Sequence, residues 1–196
     1  MPLSATPILP EARNSSSRRH FLLAGLVFSL NACTKDSDLQ SSERKASAIV
    51  VPTDLYLQNV LAGAFTLKQL GGKALLLELW ATTCAICVAE MPIISALSER
   101  YEAKGLRTVA LAMPYDRPDL VLHYAQKVRL PFPIAIDPAG HMLKAITEQA
   151  AQFGEPSVEG TPTRLLLSPS GKLLYREEGT LQGAGKTLES RLLKLL

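Results

Sequence analysis

The feature that most constrains the fold is an apolar segment that leads directly into two closely spaced cysteines. Residues Lys73 to Trp80 read KALLLELW, and this nearly continuous apolar run predicts a central strand buried on both faces of a sheet. The segment from Ala85 to Ala103 carries apolar side chains at helical spacing, and Gly105 behind it predicts the end of a helix. Cys84 and Cys87 therefore stand where a buried strand ends and a helix begins.

The rest of the chain from residue 50 onward alternates between strand-like and helix-like segments. The further predicted strands are Leu106 to Met113, Phe132 to Ile136, Thr163 to Ser168 and Lys172 to Arg176, and the further helices are Arg117 to Arg129, Ala139 to Gln152 and Ala184 to Leu196. Pro169-Ser170-Gly171 between the last two strands is typical of a hairpin turn. This order predicts an α/β domain over residues 50–196, with a mixed central sheet and helices on both faces.

Residues 1–32 predict an export signal. Ser17-Arg18-Arg19-His20-Phe21-Leu22 leads into an apolar run from Phe21 to Leu30, which is too short to span a bilayer as a helix and suits the core of a signal peptide. The full pattern around the arginine pair favours a twin-arginine signal. An ordinary Sec signal with two arginines in its charged region stays open as the alternative.

Cys33 stands apart from the other two of the three cysteines. Leu30-Asn31-Ala32-Cys33 resembles the box that precedes the lipidated cysteine of bacterial lipoproteins, so we expect Cys33 to become the first mature residue and to carry lipid. Lipidation would explain the odd cysteine count; cleavage nearby, which leaves a free thiol, is the alternative. Residues 34–48 are polar and charged, which predicts a flexible tether over residues 33–49.

The paired cysteines have the position that thiol–disulfide exchange needs. Free backbone N–H groups at a helix N-terminus favour a thiolate, so we expect Cys84 to attack and Cys87 to resolve the mixed disulfide. A structural disulfide is the weaker alternative, because a bridge across so short a loop restricts the unfolded chain little. We expect no metal site, because two thiols alone are too few for zinc, which usually takes four ligands. We expect no haem attachment, because Val88 follows Cys87 where a c-type haem motif has histidine.

The residues around the pair resemble a known family. Leu75 to Pro92 (LLLELWATTCAICVAEMP) is similar to the active-site segment of the thioredoxin superfamily, and most of all to the TlpA/ResA/CcmG-like group of membrane-tethered bacterial thioredoxins. Leu67 to Lys73 (LKQLGGK), Phe132 to Asp137 (FPIAID) and Gly160 to Thr163 (GTPT) extend the resemblance over residues 50–196. It implies a thioredoxin-like, three-layer α/β/α fold with a mixed central sheet.

The same resemblance implies a place where substrate binds. Pro162 matches the cis-proline that faces the cysteine pair in the family, and the backbone of Thr161 would pair with a substrate chain as a strand. An ordinary trans-proline before a strand is the alternative. Trp80, which ends the buried strand, is the third residue expected to contact substrate.

Two carboxylates are candidate partners of the cysteines. Glu78 lies where thioredoxins carry a buried acid; burial should make it hold its proton more tightly, so that it can exchange a proton with Cys87. Glu90 matches the glutamate that the family carries between the second cysteine and the following proline, where it is implied to tune the cysteines and contact substrate. The alternative for both is a side chain that reaches solvent.

The resemblance implies a disulfide reductase on the periplasmic side of the bacterial cell membrane, held there by a lipid anchor. Its substrates would be disulfide-containing exported proteins, with apocytochrome c before haem attachment as one candidate. Nothing in the sequence binds a nicotinamide or flavin, so we expect no cofactor beyond the Cys84–Cys87 disulfide and a membrane electron-donor protein of the thiol-reductase type as partner. The net charge of +3, without a basic stripe interleaved with aromatics, argues against nucleic-acid binding.

Two departures from the family leave the direction of electron flow open. Thr83 and Ile86 stand where relatives usually carry tryptophan and often carry proline. A disulfide oxidant or isomerase is therefore one alternative. A non-enzymatic thioredoxin-fold copper chaperone or assembly factor is another, with His141-Met142 as the weak sequence signal for it.

Overall fold

The structure, a computed structural model, describes residues 49–196, apart from the side chains of residues 182–186. The strands are β1 (Tyr56–Asn59), β2 (Ala64–Thr66), β3 (Ala74–Trp80), β4 (Leu106–Ala112), β5 (Ile134–Ile136), β6 (Thr163–Leu167) and β7 (Leu173–Glu178). The helices are α1 (Ala85–Glu102), α2 (Pro118–Val128), α3 (His141–Gln152) and α4 (Leu181–Leu195), and a short 3-10 helix covers Leu67–Leu70. The ends of the expected elements differ from these by three residues or fewer.

The strands form one mixed sheet in the order β2-β1-β5-β4-β3-β6-β7. Strand β3 pairs in parallel with β4 and antiparallel with β6, and all seven of its residues are buried. Strand β5 continues the parallel part beside β4, whereas β1, β2 and β7 pair antiparallel with their neighbours. The expected mixed sheet with a central buried strand is confirmed.

Two apolar clusters cover the two faces of the sheet. Because side chains alternate along a strand, Leu77 and Leu79 of β3 pack on one face with residues of α3. Leu76 and Trp80 pack on the other face with residues of α1, α2 and α4. Helices therefore lie on both faces of the sheet, which confirms the expected three-layer α/β/α arrangement.

Helix α1 is the element that carries the cysteine pair. It continues from Ala85 to Glu102 through Pro92, and its buried residues include Cys87, Met91 and Ile94. These three residues are spaced by four and three positions, so they share one face of the helix. Cys87 therefore lies at the start of the face that packs on the sheet.

The sequence does not predict strands β1 and β2. They have four and three residues, and their alternation of exposed and buried side chains is correspondingly short: Tyr56 is exposed and Leu57 is buried. Strands β1 and β2 join the rest of the sheet through β1, which pairs with β5. Ile49, the last residue of the expected tether, is buried in the same cluster as Leu57, and Val50 forms an isolated antiparallel bridge with Lys172.

Candidate functional site

The two cysteines lie at the start of α1, joined by a disulfide bond. Cys84 caps the helix with an extended backbone conformation, and the N–H of Cys87 donates a hydrogen bond to Cys84 Sγ over 3.2 Å. The first N–H groups of a helix have no carbonyl partner within it. Together with the helix dipole they favour negative charge on a sulfur at this position. A thiolate at Cys84 is therefore stabilised once the disulfide is reduced.

The two cysteines differ in their access to solvent. Cys87 is only 1% exposed and packs in the same cluster as Trp80 and Met91. Cys84 is partly exposed and packs against that cluster from its edge. An incoming disulfide can therefore approach Cys84, while Cys87 is covered by protein.

The turn before the cysteines is hydrogen-bonded to the loop that follows β4. The carboxylate of Asp116 accepts one hydrogen bond from the backbone N–H of Thr82 over 2.5 Å and another from its hydroxyl over 2.6 Å. The N–H of Met113 also donates to the carbonyl of Trp80 over 2.8 Å. These contacts fix the path of the chain between β3 and Cys84.

We expect Asp116→Ala to lower the free energy of unfolding by about 1–3 kcal/mol, because it leaves two donors of Thr82 without their charged acceptor. Asp119→Ala is the matched control: Asp119 pairs with Arg117 on the exposed surface, where an ion pair contributes at most about 1 kcal/mol. Urea unfolding of the oxidised protein measures both values. Equal effects in the two variants would contradict a special role of Asp116.

The peptide bond between Thr161 and Pro162 is cis, as the resemblance implies. Leu79 of β3 pairs with Thr163 of β6 in antiparallel register. Extending that register by one residue places Pro162 beside Trp80, at the end of β3 that leads to the cysteines. Pro162 is buried and Thr161 is partly exposed, so Thr161 is the more accessible of these two residues expected to contact substrate.

The structure does not place Trp80 where contact with a substrate requires it. The side chain is fully buried, with its ring 4.8 Å from that of Tyr124, and within residues 49–196 its indole Nε1 has no hydrogen-bond partner. The expectation of a substrate contact is therefore corrected. Trp80 supports Cys87 from within the core, because a large aromatic side chain at the end of an all-buried strand contributes mainly by packing.

Both candidate carboxylates are buried around one arginine. Arg164 of β6 is completely buried, and its Nε lies 2.9 Å from Glu78 Oε2. Its Nη2 donates to Glu90 Oε2, and its Nη1 donates to the carbonyl of Gly179 over 2.8 Å. Glu90 Oε1 also accepts a hydrogen bond from the N–H of Leu181, at the start of α4, over 2.6 Å. The alternative that these carboxylates reach solvent is therefore wrong.

A third carboxylate belongs to this group. Glu177 of β7 is directly opposite Arg164 in the sheet, is 6% exposed, and has no hydrogen-bond partner for either oxygen within the described residues. Burial raises the pKa of Glu78 from 4.5 to about 8; Arg164 opposes this rise, and Glu90 and Glu177 add to it. Burial also raises the pKa of Glu177. The group therefore retains a proton at neutral pH.

Three residues of the site region, Asp116, Arg164 and Glu177, were not predicted from the sequence. Arg164 and Glu177 are opposite each other only through the register of β6 and β7, and Asp116 meets Thr82 across 34 positions of sequence. One signal is present in the sequence: the strand TRLLL places a charged side chain in an apolar run. A buried charge needs a partner of opposite sign, and Glu78 in the other apolar strand is the natural candidate.

The residues of the copper alternative do not meet the cysteine pair. Met142 is buried in the cluster on the face of the sheet that packs with α3, whereas Cys87 is in the cluster on the opposite face. His141 is exposed at the start of α3. Within residues 49–196, no group of three or more histidine, cysteine or acidic side chains is arranged to hold a metal ion.

The expected export signal, the lipidated Cys33 and residues 33–48 of the expected tether lie outside the described residues. They stay predictions. Among the residues that the structure describes, none of the helices has the length and apolarity needed to cross a membrane.

Comparison with known proteins identifies relatives of this chain. The model of the Redoxin family matches residues 29–192. A thiol-disulfide oxidoreductase ResA from Bacillus thuringiensis is 29% identical over 147 residues, which cover 74% of this chain and 74% of that protein. A thiol-disulfide oxidoreductase ResA from Bacillus cereus is 32% identical over 114 residues, which cover 58% of this chain and 59% of that protein.

Solved structures agree with the fold. A protein from Chlorobium tepidum, described as a candidate thiol:disulfide interchange protein DsbE, superposes with a TM-score of 0.62 at 25% identity. The match covers 76% of this chain and 96% of that one. A candidate protein disulfide isomerase from Bacteroides thetaiotaomicron gives the same TM-score at 18% identity, which supports the thioredoxin-like fold alone.

The family match spans most of the chain, and the site holds a disulfide at a helix N-terminus with one partly exposed sulfur. The relatives named above share that chemistry by name. This protein therefore belongs to the Redoxin family and is a thiol–disulfide oxidoreductase.

Proposed function

We propose that this protein reduces disulfides in exported proteins, with Cys84 as the attacking thiolate and Cys87 as the resolving thiol. The observation that carries the assignment of roles is the difference in access: Cys84 is partly exposed at the helix N-terminus, and Cys87 is covered. A substrate sulfur can form a bond only with the sulfur that it reaches. The helix N-terminus stabilises the negative charge that the attack requires.

The reduction of one substrate disulfide balances without a further reagent. The Cys84 thiolate attacks one sulfur of the substrate disulfide, a mixed disulfide forms, and the other substrate sulfur leaves as a thiolate that takes up a proton. Cys87 then loses its proton and attacks Cys84 Sγ, which releases the second substrate thiolate and restores the Cys84–Cys87 bond. Two electrons pass from the pair to the substrate.

The next cycle needs a dithiol from another protein. We propose a membrane electron donor of the thiol-reductase type, and a location on the periplasmic side of the cell membrane through a lipid on Cys33. The sequence around Cys33 and the preceding arginine pair support this location. Apocytochrome c before haem attachment is the proposed substrate among exported proteins.

The surface beside the disulfide suits an extended polypeptide. Ile86, between the two cysteines, is 48% exposed, and Thr161 is partly exposed before the cis-proline. An apolar side chain next to the reacting sulfur gives a substrate chain a contact that does not depend on its charge. This supports exported proteins, rather than a small thiol, as substrates.

The buried carboxylates favour the reducing direction. Glu90 lies three residues after Cys87 on α1, and residues so spaced on a helix are neighbours. Negative charge near a thiolate opposes its formation. At Cys87 this offsets part of the stabilisation that the helix N-terminus gives to a thiolate at Cys84. A pair whose reduced form is less stabilised holds its electrons less tightly, whereas the reduced form of the oxidant DsbA is stabilised.

We therefore expect the pair to have a reduction potential closer to thioredoxin, at about −270 mV, than to DsbA, at about −120 mV. Equilibration in dithiothreitol buffers of defined potential, followed by alkylation and mass determination, measures it. The variants Ile86→Pro and Thr83→Trp show how much the two departures from the family contribute. A potential near that of DsbA would contradict the reducing direction and make the protein an oxidant.

A further inference from the structure

Four buried ionisable side chains, three acidic and one basic, form a continuous layer between the sheet and α1. Glu78 of β3 is paired with Arg164 of β6, and Arg164 is paired with Glu177 of β7. Residues that are directly opposite in adjacent strands point to the same face of a sheet. Glu90 reaches the same arginine from α1.

The layer lies on the face of the sheet that carries Cys87. Leu76 and Trp80, two residues on either side of Glu78, belong to the cluster that contains Cys87, and so does Leu166, two residues beyond Arg164. Side chains two apart on a strand share a face. Glu78 is therefore the neighbour of Trp80 on this face of β3, two residues before it. Glu90 lies about one helical turn after Cys87 on α1.

The charges in this layer do not balance. Three carboxylates surround a single guanidinium, and Arg164 contacts Glu78 and Glu90 while Glu177 has no hydrogen bond from the described residues. A buried carboxylate without a partner is much less costly when it is protonated. The layer therefore holds at least one proton, and the arginine decides which carboxylates are ionised.

Among the described side chains, further titratable groups near the layer lie on β7 and α4. Tyr175 of β7 lies within electrostatic range of Glu177 and Arg164, and the guanidinium of Arg191 of α4 lies 5.6 Å from the centre of its ring. Strand β4 places the uncharged Ala110 beside Glu78. Cys87 is buried on this face, and its proton must move during exchange.

We propose that Arg164 is a positioning residue for the disulfide chemistry: it holds Glu78 and Glu90 on the face of the sheet that carries Cys87, and Glu177 brings the layer to two positive charges short of balance, so that a proton stays available to Cys87. The proposal rests on the thiol–disulfide activity of the pair. Arg164 does not touch the reacting sulfurs; it acts through the two carboxylates.

One proton moves between the layer and Cys87 in each direction of the exchange. When a thiolate attacks Cys84 of the disulfide, Cys87 leaves with a negative charge inside the protein, and the layer transfers one proton to its sulfur. The layer then carries one more negative charge, which Arg164 partly compensates. When Cys87 must attack a mixed disulfide, the proton returns to the layer. No electrons pass through these residues.

The proposal predicts opposite shifts for two substitutions. Glu177→Gln removes a negative neighbour of Glu78, so the pH midpoint of the exchange rate should fall by about 1 unit; Arg164→Met removes the positive neighbour, so the midpoint should rise by at least as much. Arg164→Lys keeps the charge but cannot contact both carboxylates in the same way, and should lie between Arg164→Met and the parent. Stopped-flow exchange with a disulfide substrate, recorded from pH 5 to 10, measures the midpoints.

Arg100→Gln is the matched control, since Arg100 pairs with Glu189 near the far end of α1, and its midpoint should equal that of the parent. If Arg164→Met does not fold, Arg164→Lys and Glu177→Gln still decide the question. Midpoints that stay at the parent value, or that move in the same direction in the arginine and Glu177 variants, would overturn the proposal. The midpoint reports on the pair in either direction of electron flow, so a protein that proves to be an oxidant would not by itself alter this result.

Discussion

Cys84→Ser is expected to reduce the rate of substrate disulfide reduction to that of the reaction without enzyme, whereas Cys87→Ser is expected to accumulate mixed disulfides with substrate proteins. The serine hydroxyl is not ionised at neutral pH, so a serine at position 84 supplies no nucleophile. In Cys87→Ser the attack by Cys84 still occurs, but no second thiol resolves the product. Turnover with an oxidised model protein and mass determination of trapped adducts measure the two outcomes.

Stability does not explain the difference between these variants. Both lose the same disulfide, and its short loop contributes about 2 kcal/mol in the chain-entropy account. Each variant therefore serves as the stability control of the other in urea unfolding. If adducts accumulate on Cys84→Ser and not on Cys87→Ser, the two roles are exchanged, and the inference from solvent access is wrong.

The long elements of the fold can be predicted because their burial is uniform or strongly periodic. All seven residues of β3 are buried, so its sequence has a single interpretation. Strand β1 has only four residues, so its alternation of exposed and buried side chains is too short to identify a strand from sequence. Helix α4 begins three residues earlier than its local sequence predicts, because Glu90 in α1 accepts the N–H of Leu181. Such a distant partner cannot be identified from local sequence.

The candidate site divides in a similar way. The cysteine pair is found from its spacing together with the buried strand before it and the helix after it, and Pro162 is found from the resemblance to a family. Arg164 and Glu177 depend on sheet register, which joins residues that are far apart in sequence. Glu78 is recognisable at both stages, because an acid in an apolar strand requires either a proton or a cation. The structure provides the cation, Arg164, and burial raises the pKa of Glu78, which favours the proton.

Stability should depend on pH in a way that reveals the proton on Glu78. Burial raises the pKa of this carboxyl in the folded protein from 4.5 to about 8. Between these two values the folded protein binds a proton that the unfolded chain has lost, so the free energy of unfolding falls as pH rises, by about 1 kcal/mol for each pH unit. Below pH 4.5 and above pH 8 the contribution of Glu78 to the slope disappears.

Glu78→Gln tests this dependence directly, because the amide has the shape of the acid and does not ionise. In this variant the free energy of unfolding should fall much less between pH 4.5 and pH 8 than in the parent. The part of the fall that remains is the one that the raised pKa of Glu177 contributes. At pH 9 the variant should be more stable than the parent by a few kcal/mol. Urea unfolding of the oxidised protein from pH 4 to pH 9 measures it, since disulfide-bonded cysteines do not titrate.

Glu148→Gln is the matched control, because Glu148 is exposed and lies 3.9 Å from Lys144 in a surface ion pair. Its stability should follow that of the parent at every pH. If the free energy of unfolding of Glu78→Gln falls with pH as steeply as that of the parent, Glu78 is ionised in the folded protein throughout the range from pH 4.5 to pH 8. Arg164 would then outweigh burial at Glu78, and the proton that the buried layer supplies to Cys87 would have to reside on Glu177.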